Sequence, residues 1–138
     1  MDSAIRYLFV YGTLRPSLAG DEQRRLIAGL PDAGPATVPG LLYDLGPYPG
    51  MVAGEGTVHG DLLEVADECH LAMLDAYEEC HGDDPLYRRQ ATLATRPDGT
   101  TVAAWSYLYC QPPGRSRIIE SGDYSVAKQS PGGPPNGG

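Results

Sequence analysis

Residues 7–11, Tyr-Leu-Phe-Val-Tyr, are apolar or aromatic without a break, the pattern of a strand buried on both faces. The run stops at Gly12-Thr13, and Arg15-Pro16-Ser17 forbids a simple continuation. A helical rhythm follows, with Leu26, Ile27 and Leu30 on one face of a short helix over 21–30 that ends near Gly29. Residues 31–35, bounded by two prolines, form a breaker cluster. Residues 37–45 read as a strand interrupted at Pro39-Gly40. Gly46-Pro47-Tyr48-Pro49-Gly50 reads as a rigid turn presenting Tyr48, and residues 54–56 turn the chain again after Met51-Val52-Ala53. Residues 57–65 alternate as another strand, in which Gly56 and Gly60 let a neighbouring backbone or a ligand come close.

Asp67 is placed as the N-cap of a helix over 68–80 that ends by Gly82. At about 100° per residue, Leu71, Leu74 and Tyr77 form its apolar stripe, with Met73 at the margin. Glu78 falls between Leu71 and Leu74, whereas Asp75 and Glu79 fall on a face expected to be solvated. Residues 86–96 and 100–110 are two β-rich runs of similar length around Pro97-Asp98-Gly99, which predicts a hairpin. Its second strand sets Val102, Ala104, Ser106 and Leu108 against Ala103, Trp105, Tyr107 and Tyr109. Residues 118–124 supply one more segment to pack on the sheet. The expected organisation is one domain over 1–129 and a disordered Pro/Gly-rich tail over 130–138.

Composition removes several possibilities. A chain of 138 residues can bury a core without staples. A net charge of −8 and a pI near 4.6 argue against nucleic acid and anionic membrane as partners. No run of 18 apolar residues and no signal-peptide pattern is present, and the three cysteines show no paired spacing; a cytoplasmic location is the expectation. Cys69 and Cys80 lie eleven residues apart on one helix, about 16 Å along its axis, beyond disulfide reach. His59, His70 and His81 are scattered among different segments, so no metal is expected. No Walker loop or dinucleotide fingerprint calls for a cofactor.

Two features carry chemistry. The backbone N–H groups at the end of a buried strand, with the Thr13 hydroxyl, can hold a carboxylate; an ordinary first strand and turn is the other reading. Glu78 on a core-facing stripe is costly unless it has partners or a task. Desolvation would raise its pKa, as suits a group that takes and returns a proton. The alternative is a structural acid tied to Arg88, Arg89 or the Tyr87 hydroxyl.

Phe9-Val10-Tyr11-Gly12-Thr13-Leu14-Arg15 resembles the amino-terminal signature of the gamma-glutamylcyclotransferase-like superfamily. Leu74-Asp75-Ala76-Tyr77-Glu78, followed by Leu86-Tyr87-Arg88-Arg89, resembles its second signature. Tyr48-Pro49-Gly50-Met51-Val52 and Gly60-Asp61-Leu62-Leu63-Glu64-Val65 fall between them in the expected order, and Ser121-Gly122-Asp123-Tyr124 is similar to a carboxyl-terminal element of bacterial members. The resemblance spans about residues 5–126. It implies an α+β fold, a small mixed β-barrel with flanking helices. It also implies an enzyme of C–N lyase or acyltransferase type, without a cofactor, that cyclises a small gamma-glutamyl compound to 5-oxoproline and releases an amine or amino acid. Glu78 matches the catalytic glutamate, and Tyr11, Gly12, Thr13, Leu14, Tyr48, Tyr87 and Tyr124 are the implied substrate-binding residues. The Leu-Asp-Ala-Tyr-Glu segment resembles the gamma-glutamylamine branch and Gly-Asp-Tyr the bacterial one, so the leaving amine stays open, as does the oligomeric state. A non-catalytic small-ligand-binding domain of the same fold is the alternative.

Overall fold

The computed structural model describes residues 5–12, 14–15, 20–45, 49–65, 68–77, 87–110 and 116–124. In chain order these form β1 (Tyr7–Val10), α1 (Asp21–Ile27), β2 (Asp32–Asp44), β3 (Pro49–Glu64), α2 (Glu68–Tyr77), β4 (Tyr87–Thr95), β5 (Thr101–Tyr109) and β6 (Arg117–Ile118). Strands β3, β1, β5, β4 and β2 lie side by side in that order, and β2 pairs back onto β3, closing a five-stranded barrel. β6 is added to the end of β2 through Tyr43–Ile118 and Asp44–Arg117. β1 runs antiparallel to β3 and parallel to β5, which makes the barrel mixed, as expected. The tail over 130–138 lies outside the described residues.

The unbroken apolar run of β1 follows from its two packed faces. Phe9 points into the barrel with Val38, Val58, Leu62 and Ala104, residues drawn from three other strands of the wall. Leu8 and Val10 point outward, where Ile27 of α1 and Leu71 and Leu74 of α2 cover them. A ring nitrogen of His70 donates to the Leu26 carbonyl (2.6 Å) and ties α2 to the end of α1. Met73, at the margin of the stripe, is 44% exposed. Among the described residues no helix is long and apolar enough to cross a membrane.

The hairpin forms in the predicted place, with Tyr87 opposite Tyr109 and Thr95 opposite Thr101. Gly99 adopts φ +90°, and Asp98 accepts from both the amide and the hydroxyl of Thr100 (2.9 and 2.7 Å). These bonds hold the exposed Asp98 carboxyl below its ordinary pKa.

Of the expected interruptions between residues 31 and 56, the breaker cluster is corrected, while those at Pro39-Gly40 and 54–56 are irregularities within continuous strands. β2 begins at Asp32 inside the breaker cluster and passes Pro39-Gly40 through a bulge. β3 runs on from Pro49, but its residues 53–56 bulge out opposite Gly40, because the ladder steps from Pro39–Thr57 to Leu41–Val52. The prolines are tolerated because β2 meets β4 at a single pair, Thr37–Thr95, so most of its second edge needs no N–H donor. The glycines bend the two strands together. A Cβ on Gly56 would lie 2.8 Å from the Gly40 carbonyl, and one on Gly60 would strike the Val10 carbonyl and Phe9 ring. The close neighbour expected at Gly56 and Gly60 is therefore backbone and core.

Candidate active site

The bend in β2 and β3 carries the start of β3 to the end of β1. There the Tyr11 hydroxyl donates to the Tyr107 carbonyl (2.7 Å) and accepts from the Met51 amide (3.2 Å). Gly12 packs against Pro49 so closely that a Cβ would lie 2.8 Å from the proline ring. The Arg15 amide donates to the Gly12 carbonyl (3.0 Å), closing the turn, and Leu14 is buried beneath it on the helix side. The Tyr87 hydroxyl donates to the Pro49 carbonyl (2.7 Å), and its ring meets Tyr109 edge-on at 5.5 Å. Tyr11, Gly12 and Tyr87 thus converge on Pro49–Met51. Thr13 and Tyr48, also expected here, lie outside the described residues.

The carboxyl-terminal segment reaches the same end. The His59 amide donates to the Gly122 carbonyl (2.7 Å), and Tyr124 enters the interior core at 2% exposure. Burial, and secondarily the charge of Asp44, push the Tyr124 phenol above its ordinary pKa. Arg15 locks this segment to the turn, with its Nε on Asp61 (2.9 Å) and an Nη on Asp123 (3.0 Å). Two carboxylates already engage this guanidinium, so the turn's own N–H groups are left as the candidate anion donors.

Asp75 requires a correction: it is not on a solvated face. It accepts two bonds from Arg89 (2.8 and 3.1 Å) and one from the Tyr107 hydroxyl (2.7 Å), and the Arg89 guanidinium lies 4.4 Å over the Trp105 ring. Its position four residues after Leu71, about 40° away around the helix, was the available signal. Tyr107 links this network to the turn, because its carbonyl receives the Tyr11 hydroxyl. Glu78 lies outside the described residues, just beyond α2. Sequence reasoning also missed the Arg15–Asp61–Asp123 cluster, whose members are separated by 46 and 108 residues from Arg15.

Residues 8–126 match the family described as gamma-glutamyl cyclotransferase, AIG2-like. The chain belongs to that family. The gamma-glutamylcyclotransferase family protein YtfP of Escherichia coli strain K12 is 40% identical over 118 residues, covering 85% of this chain and 94% of its own. The solution structure of ytfP from Escherichia coli matches with a TM-score of 0.63 at 35% identity, covering 89% of this chain and 99% of that one. An AIG2-like protein from Mus musculus shares the fold at a TM-score of 0.65 and 22% identity, over 80% and 82% of the two chains. Family members therefore share this barrel, and the turn after β1 falls within the matched residues.

Proposed function

We propose that the protein is a gamma-glutamyl cyclotransferase that converts a gamma-glutamyl compound to 5-oxoproline and a free amine or amino acid. The reading rests above all on the convergence of the Tyr11–Gly12 turn, Pro49–Met51 and Tyr87 at one barrel end, beside the Asp75–Tyr107 anchor of α2. The turn formed by Tyr11, Gly12, Thr13 and Leu14 holds the substrate's alpha-carboxylate or carbonyl, and Tyr48, Tyr87 and Tyr124 enclose the gamma-glutamyl chain. Leu71 and Leu74, from which the helical phase of Glu78 is reckoned, are both buried.

Glu78 takes a proton from the substrate's alpha-ammonium, and the freed amine attacks the gamma-carbonyl. The new C–N bond closes the five-membered ring as the old one breaks, and Glu78 returns the proton to the departing amine. Intramolecular attack needs positioning and one proton shuttle. 5-Oxoproline release from a panel of gamma-glutamyl amines and amino acids tests the proposal. Glu78→Gln keeps the shape and is expected to lose roughly 10²–10⁴-fold in kcat. Equal turnover by both proteins would sink the mechanism, and binding of panel members without turnover would favour a ligand-binding domain.

A further inference from the structure

Alternate residues of β5 face the barrel interior. Ala104 is in the interior core, Leu108 packs against it, and Ser106 lies between them at 1% exposure. The Ser106 hydroxyl has no hydrogen-bond partner among the described residues. The register sets Gln90 of β4 directly opposite Ser106 and Arg88 opposite Leu108, so all three polar side chains share one face. Gln90 and Arg88 are exposed although they lie on that face. The cause is the seam between β4 and β2, which pair only through Thr95 and Thr37.

Three arginines lie on the turn and the neighbouring end of β4. Arg15 is held by Asp61 and Asp123, and Arg89 by Asp75. The side chains of Arg88 and Gln90 make no hydrogen bond or ion pair with any described residue. A buried hydroxyl and, on the same face, an exposed carboxamide and guanidinium are donors that suit a carboxylate. The strip shares the barrel interior with Tyr11 and Tyr124 of the candidate site, which lie in the same core as Ala104. Tyr87 and Tyr107, its neighbours in the chain, point to the opposite, helix-side face.

We infer that Arg88, Gln90 and Ser106 form a carboxylate subsite for the leaving half of the ligand, an inference that rests on the cyclotransferase reading for what that half is. A leaving amine with its own carboxylate, an alpha-amino acid, uses all three donors. A plain alkylamine uses none of them.

Gamma-L-glutamyl-L-alanine and gamma-L-glutamylethylamide differ in the leaving group by that carboxylate alone and form the test pair. The wild type is expected to favour the alanine compound at least tenfold in kcat/KM, mainly through KM. Arg88→Gln is expected to reduce that preference at least fivefold and Ser106→Ala to reduce it less, while Arg25→Gln on α1 leaves it unchanged. Turnover of both compounds with equal kcat/KM, or a preference untouched by Arg88→Gln, overturns the subsite and leaves the cyclotransferase reading intact. Should neither compound be turned over, calorimetric titration with gamma-L-glutamyl-L-alanine decides. Binding weakened at least fivefold by Arg88→Gln supports the subsite while the enzymatic reading fails; absent or equal binding overturns it. Melting temperatures of the three variants check folding.

Discussion

Asp75 gathers two bonds from Arg89 and one from Tyr107, and Tyr107 passes the connection through its carbonyl to Tyr11. Tyr107→Phe removes one donor and keeps the ring, so it is expected to cost about 1 kcal/mol. Asp75→Asn removes the charge that receives both guanidinium bonds and is expected to cost more, about 1–2 kcal/mol for a partly buried pair. Urea denaturation of the two variants gives the order; a smaller loss for Asp75→Asn would contradict this account. Tyr124 yields a pH prediction. Its folded phenol titrates above the ordinary value of about 10, which the unfolded chain keeps. Its contribution to stability is therefore present below about pH 10 and is lost as pH rises through the folded pKa. Tyr124→Phe should show a shallower alkaline fall in stability than the wild type, measured by denaturation at pH 8 to 11, and an unchanged fall would refute the assignment.

The elements differ in how far local pattern decides them. β4 and β5 form the expected hairpin because the turn chemistry of Asp98 and Gly99 acts within a few residues. α2 is phased correctly through Leu71 and Leu74, since helical burial repeats over one or two turns. β2 and β3 defeat local reading, because their prolines and glycines are permitted by an open edge and a shared bend that only the barrel creates. Gly122 is a sharper case of the same kind. It adopts φ +70°, and a Cβ there would strike the Thr57 carbonyl, whereas Gly99 at φ +90° faces open space. Gly122→Ala is expected to cost at least about 2 kcal/mol and Gly99→Ala about 1 kcal/mol, the cost of the left-handed backbone alone. Thermal unfolding of both variants tests the ranking.

Across the whole molecule the barrel is closed unevenly. β2 and β3 pair at eleven positions and β4 and β5 at nine, but β4 and β2 pair at one. Amide exchange should follow this asymmetry. Alternate amides of β4, those directed at β5, are expected to exchange slowly and the intervening ones quickly except near Thr95. Uniform protection along β4 would mean that the seam is closed in solution. The same seam exposes Arg88 and Gln90 on an otherwise interior face, so a feature of the closure bears directly on ligand selection.

The apolar runs and turn residues were enough to identify the hairpin and the turn after β1, because these depend on neighbours close in the chain, whereas the mixed barrel was implied by the resemblance of the signature segments. The face of Asp75, the double pairing of Arg15 and the unspent donors on β4 and β5 depend on which distant carboxylates arrive beside which guanidinium. Charge pairing across 46 or 108 residues leaves no periodic trace, and only barrel closure brings those partners within a hydrogen bond of one another.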